Sequence, residues 1–200
     1  IPDSKNHPFY LDIKKAAFKK AEELKQYGVN VIFKELTEIP SKQFSSYTDL
    51  FSKEEELDGI VLPGSLKLNE TSFFTDLERK KIPYVFYNGL SETNNYLAYI
   101  GCNYIDAGKL AAGLSALLGS EAARVCIYSE GVDGIPSHTD RIEGFRQEAG
   151  SRYPDMKILD VRPISPNQID NFLSAQEMFA SFPDVNIVYV VNPADYGICE

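Results

Sequence analysis

The apolar run Val125-Cys126-Ile127-Tyr128 passes through a loop, Ser129 to Pro136, into Ser137-His138-Thr139-Asp140-Arg141-Ile142-Glu143-Gly144-Phe145-Arg146. A short run without polar alternation predicts a strand buried on both faces, and the Gly- and Pro-bearing loop predicts a turn into a helix. That helix opens with hydroxyls and a cation. In parallel α/β sheets, ligands bind beyond the carboxyl ends of the strands. Ser137, Thr139 and Arg141 are therefore candidate contacts to a small polar ligand, since a guanidinium offers a rigid fork of donors. A competing reading pairs Arg141 with Asp140 or Glu143 on a solvated face. His138 reads more simply as a surface residue.

Outward from this stretch, strands and helices alternate. Pro8 to Tyr27 carries apolar residues near helical spacing and ends at Gly28, a C-cap. Val29 to Phe33 reads as a strand, Ser41 to Glu56 as a polar helix, and Asp58 to Leu62 as a strand closed by Pro63-Gly64. Then follow helix Ser72 to Lys81, strand Pro83 to Tyr87, helix Tyr104 to Leu118 ended by Gly119, and helix Thr139 to Tyr153. Strands Ile158 to Val161 and Ile187 to Val191 flank helix Gln168 to Phe182. This βαβα order predicts an α/β fold, with parallel sheets covered by helices on both faces. The polar, Asn-rich connection from Asn88 to Ala98 is the most irregular. It places a boundary between a lobe over residues 1–101 and a lobe over 102–200. Ile1-Pro2-Asp3 reads as the tail of a strand and Ile198-Cys199-Glu200 as one helical turn, so a fragment incomplete at both ends is expected.

Three more strand ends carry candidate contacts. In Ser4 to Tyr10, Phe9 and Tyr10 can offer flat faces to a ring and His7 a polar edge; the alternative is core packing with an exposed His7. Asn88 combines donors and acceptors, yet an Asn before Gly89 equally suits a turn. Asn192 follows an apolar strand, where it can reach a ligand or cap the next helix.

Composition sets limits. The 20 Lys and Arg against 29 Asp and Glu give a net charge of −9, which argues against a nucleic-acid surface on this segment. The lysines from Lys14 to Lys25 alternate with Glu22 and Glu23 and read as a solvated helix face. Cys102, Cys126 and Cys199 lack metal-type spacing, and Cys126 reads as a buried small hydrophobe. The unpaired pattern favours a reducing cytoplasm. The sequence shows no P-loop and no GxGxxG, and His7 and His138 belong to no Ser/His/acid set. The expectation is a binding protein rather than an enzyme, with no cofactor and no metal.

Several stretches, in order, resemble the effector-binding region of the LacI/GalR family of transcription regulators and its relatives, the periplasmic sugar-binding proteins. IPDSKNHPFY resembles the family's VIPDxxNPFF, with His7 where Asn is usual. LDGIVLPGS resembles VDGIILxPS, and IPYVFYNG resembles IPVVxxDR, with Asn88 where Asp is frequent. Tyr99 to Leu118 is similar to xVGxDNxxAGxLAxxxL, DRIEGFR to xRLxGFR, and VVNPADYG to AxNDxxAxG with Pro193 in place of Asp. Single motifs are unspecific; their order and spacing over nearly the whole chain are specific.

The resemblance implies a two-lobed type I periplasmic-binding-protein-like fold with ligand held between the lobes. It implies contacts from His7, Phe9, Tyr10, Asn88, Arg141 and Asn192, with Ser137 to Thr139 in a contact region of variable type. The function it implies is the sensor of a cytoplasmic LacI-type regulator. A sugar or similar polar effector would control operator DNA binding through a helix-turn-helix ahead of Ile1, in a homodimer. The alternative is the periplasmic sugar-binding component of a transporter.

Overall fold

The computed structural model describes residues 8–34, 56–64, 70–90, 95–119, 122–130, 136–165, 167–191 and 196–199. They fall into two compact units, Ile1–Gly101 and Cys102–Glu200.

In the first unit, helix α1 spans Pro8–Lys25. Gly28 ends it in the left-handed region (φ 79°). Gly28 N donates to Lys25 O and Val29 N to Leu24 O, the paired bonds of a Schellman motif. Strands β1 (Ile60–Pro63), β2 (Tyr84–Tyr87) and β3 (Ala98–Ile100) form a parallel sheet in the order β1-β2-β3, with helix α2 (Glu70–Lys80) between β1 and β2. Ile60, Leu62, Tyr84 and Phe86 point to one face, where Phe73, Phe74 and Leu77 of α2 cover them. Successive strand residues point to opposite faces. Val61, on the other face, is 67% exposed among the described residues.

Two expectations need correction here. Residues 29–34 are not a strand: no described strand pairs with them, and Val29, Val31 and Ile32 are exposed. A β-branched run becomes a strand only where a neighbour takes its N–H and C=O groups. Phe33 instead stacks on Phe18 of α1, centroids 4.0 Å apart. The second is an addition: strand β3 begins at Ala98, the last residue of the irregular connection, and its Val85↔Ala98 and Phe86↔Tyr99 register extends the sheet. The expected helix from Ser41 to Glu56 lies outside the described residues.

The second unit has the sheet order β5-β4-β6, all parallel, from β4 (Arg124–Ser129), β5 (Lys157–Pro163) and β6 (Ile187–Val190). The helices are α3 (Tyr104–Leu118), α4 (Pro136–Arg152), α5 (Gln168–Ser181) and α6 (Tyr196–Cys199). The chain leaves β4 for one neighbour and then crosses to the other. Right-handed crossovers in opposite directions put α4 and α5 on opposite faces. The core bears this out. Val125 and Ile127 pack with Ala112 of α3 and Ile142, Phe145 and Ala149 of α4. Cys126 and Tyr128 pack with Met178 of α5 and Ile198 of α6. Cys126 is thus the buried small hydrophobe expected, and burial, more than the nearby Asp160, pushes its thiol pKa up.

Small residues set the α3–α4 crossing. A Cβ on Gly108 would lie 2.0 Å from Arg141 O, and one on Gly144 would lie 2.0 Å from Ile105 O. Backbone therefore rests on backbone, and only glycine fits at either point. The Ala- and Gly-rich composition of α3 reflects this intramolecular packing.

Candidate functional site

In the second unit, α4 begins at Pro136, three residues earlier than expected. Pro suits a first helical turn because its missing N–H has no partner to lose there. Ser137, His138 and Thr139 are therefore helical, and Arg141 lies in the second turn, near the carboxyl end of β4. His138 Nδ1 lies 2.5 Å from the Glu130 carbonyl, just past β4. With its proton on Nδ1 the ring donates there and ties the start of the helix to the end of the strand.

Arg141 does not pair with Asp140 or Glu143 among the described residues. Neighbours one or two positions apart on a helix do not face each other. Glu143 instead accepts from Gln147 Nε2 at 2.9 Å. Arg141 Nη1 donates to Ser137 O at 3.2 Å, and its Cζ lies 4.5 Å from the centroid of the Tyr104 ring. The guanidinium is half-buried and fixed from two directions. Tyr189 of β6 stacks on Phe145, centroids 5.3 Å apart. Burial pushes the Tyr189 hydroxyl pKa up, while the charge of Arg141 pulls it down. Tyr104, Arg141 and Tyr189 thus form one electrostatic group.

Loops beyond β5 are also built. Asn171 is 1% exposed. Its Nδ2 donates to Ser165 O at 2.9 Å, and its Oδ1 accepts from Ser165 N at 2.7 Å. Asn167 caps α5 by accepting from Ile169 N at 3.0 Å.

In the first unit, Asn88 follows β2 with φ 48° and precedes Gly89 with φ 129°. Its N donates to Ile100 O at 3.1 Å. The turn reading is therefore right for its backbone. It also puts the side chain at the carboxyl end of a strand, so the two readings do not conflict. A Cβ on Gly64, at the end of β1, would lie 2.0 Å from Gly89 O, so the two strand ends meet closely. Tyr10 of α1 is half-buried. Burial holds the Tyr87 hydroxyl pKa well above the usual tyrosine range, and the charge interaction with Tyr10 raises it further. Tyr87 OH is buried with no hydrogen-bond partner among the described residues. His7, Asn192 and the side chain of Phe9 lie outside the described residues.

The structure thus groups Ser137, Thr139 and Arg141 on two turns of α4, and separately places Asn88 and Tyr10 in the first unit. The sequence reading missed Tyr104 and Tyr189. Each stands in an apolar stretch that reads as core, and only the fold puts them beside a cation.

The family profile of the periplasmic binding protein domain matches residues 1–200. The chain belongs to that family. No curated protein matches this periplasmic binding protein domain. Among solved structures, GanP, a glucose-galactose binding protein from Geobacillus stearothermophilus, is 22% identical with a TM-score of 0.73 over 98% of this chain and 69% of its own. AraP, an arabinose binding protein from the same organism, is 18% identical with a TM-score of 0.70 over 98% of this chain and 66% of its own. A putative LacI transcriptional regulator from Bacteroides fragilis is 24% identical with a TM-score of 0.55 over 66% of this chain and 47% of its own. This domain spans between 47% and 69% of the lengths of these three relatives. At such identities the likeness is one of fold: parallel α/β, periplasmic-binding-protein-like.

Proposed function

We propose that this domain binds a sugar or similar polyol and senses it for a LacI-type transcription regulator. The observation that carries the binding role is Arg141, a half-buried guanidinium held at the carboxyl end of a parallel strand by Ser137 O and the Tyr104 ring. Beyond the Nη1 bond to Ser137 O, its remaining N–H groups lie in one plane, which suits an oxygen-rich ligand. In the proposed contact set, Asn88 would supply donors and an acceptor. Ser137 and Thr139 add hydroxyls, and His7, Phe9, Tyr10 and Asn192 complete the proposed contact set. Aromatic faces would cover the apolar side of a sugar ring. Binding energy that differs between two arrangements of the units would shift their populations, and that shift is the signal. Operator DNA would be read by a segment preceding Ile1, in a cytoplasmic homodimer. The net charge of −9 argues against a direct part of this domain in that contact.

A second reading, the sugar receptor of a transport system, is supported by the match to GanP and AraP over 98% of this chain. Coding sequence upstream of Ile1 separates the two: a helix-turn-helix supports the regulator, a signal peptide the receptor.

Binding itself is tested by thermal unfolding with D-glucose, D-galactose, L-arabinose and D-xylose. A sugar at a hundred times its Kd adds about 2.7 kcal/mol, or about 5–10 °C in Tm for a chain of this size. No shift with any of these sugars, and no heat on titration, would remove sugar binding from the proposal.

A further inference from the structure

We propose that Tyr104 is a positioning residue for Arg141, its ring fixing the guanidinium plane before ligand arrives. This rests on Arg141 being the ligand donor proposed above. The ring centroid is 4.5 Å from Arg141 Cζ, and Tyr104 is only 7% exposed. A cation over an aromatic face is attracted by the ring quadrupole, and more strongly where water is excluded. The two partners are held together by backbone. Tyr104 is the first residue of α3, and the preceding Asn103 caps that helix by accepting from Asp106 N at 3.2 Å. One turn later, Gly108 lies against Arg141 O. The ring and the guanidinium therefore stand on the same helix–helix seam. Nη1 is fixed on Ser137 O, which leaves the ring to set the tilt of the plane. A long side chain already held in one orientation loses little freedom on binding, so the platform raises affinity without touching ligand. The ring does this, not its hydroxyl.

The test uses the whole chain, with D-galactose as probe and one readout that needs no sugar. In proton–nitrogen NMR, the Arg141 Nε–Hε resonance, identified by its loss in Arg141→Lys, is dispersed and slow to exchange in wild type and in Tyr104→Phe. In Tyr104→Met, which fills similar space without a ring, it moves to the averaged position of exposed arginines. By calorimetry, Tyr104→Phe binds within about twofold of wild type, and Tyr104→Met binds about five- to tenfold more weakly. A resonance unmoved in Tyr104→Met overturns the proposal, as does equal loss in the Phe and Met variants. If Tyr104→Met does not fold, Tyr104→Leu takes its place with the same expected outcomes. If D-galactose does not bind wild type, whichever of D-glucose, L-arabinose and D-xylose binds replaces it; if none binds, the sugar reading fails, and the Nε resonance still decides for or against Tyr104.

Discussion

Replacing Gly144 by Ala should destabilise the second unit, although alanine is the better helix former. An added Cβ would lie 2.0 Å from Ile105 O and 2.9 Å from Ile105 Cα, both backbone atoms of α3. A carbon and an oxygen rest at about 3.3 Å, so the helices must part by about 1.3 Å. That movement opens the layer of Ala112, Ile142 and Phe145 over β4. Overpacking of this kind costs about 3 kcal/mol where backbone must shift, and the helix-propensity gain returns about 1 kcal/mol. The net loss is about 2 kcal/mol. Gly150, on the same helix, is the control: a Cβ there meets nothing within 4 Å, so Gly150→Ala should gain about 0.5–1 kcal/mol. The two variants then differ by about 3 kcal/mol in opposite directions. Urea unfolding followed by far-ultraviolet circular dichroism and tyrosine fluorescence, with m-values compared, reads both. A Gly144→Ala protein as stable as Gly150→Ala would refute the close helix crossing.

Arg141→Ala should abolish the sugar-induced rise in Tm while lowering the unliganded Tm by only about 2–4 °C, the worth of one cation–π contact in a chain of this size; an intact sugar shift removes Arg141 from the site. Asn171→Ala strands the N–H and C=O of Ser165 and should cost about 2–3 kcal/mol in urea unfolding, and a loss below about 0.5 kcal/mol would show that the Asn171–Ser165 pair holds nothing. Tyr87→Phe removes a buried hydroxyl with no partner among the described residues, so stability at neutral pH should hold or rise by up to about 1 kcal/mol. Its pKa in the folded state is raised by burial, so the unfolded chain, titrating near pH 10, releases this proton first. Stability therefore falls as pH rises above about 10, and Tyr87→Phe should flatten that fall; an unchanged alkaline profile counts against the burial effect.

The parallel α/β fold was legible in the sequence because strands buried on both faces lose polar alternation. Val125 to Tyr128 shows this most clearly: each of its four side chains is buried, two against α3 and α4, two against α5 and α6. Helix ends marked by Gly28 and Gly119 were legible too, since both contribute local hydrogen bonds that need no distant partner. The reading of Val29 to Phe33 as a strand failed for a physical reason. Strand formation depends on a neighbour that sequence pattern does not reveal, and no described strand pairs with this apolar segment. At the site, Arg141 stood out as a cation after a buried strand, but its partners did not. Tyr104 lies 37 positions away, and nothing in its local pattern separates a platform from core.

The glycine crossing and the cation platform are one device, and a single substitution can test that. Gly108 touches the carbonyl of Arg141 itself, with a Cβ there 2.0 Å from Arg141 O and 2.8 Å from Phe145 N. Gly144 touches α3 one residue beyond Tyr104. Gly108→Ala should therefore destabilise by about 2 kcal/mol, as Gly144→Ala does, and also move the base of the Arg141 side chain by about 1.3 Å relative to the Tyr104 ring. Binding groups need placement to within about 0.5 Å to keep their full effect. Sugar affinity measured by calorimetry at 15 °C, where the variant stays folded, should then fall about tenfold or more. A distant destabilising change of equal size, Asn171→Ala with its own loop taken into account, lowers Tm without touching the guanidinium's orientation. If Gly108→Ala loses stability but keeps wild-type affinity, the helix seam supports the fold alone, and the orientation of Arg141 is set by its own side-chain contacts.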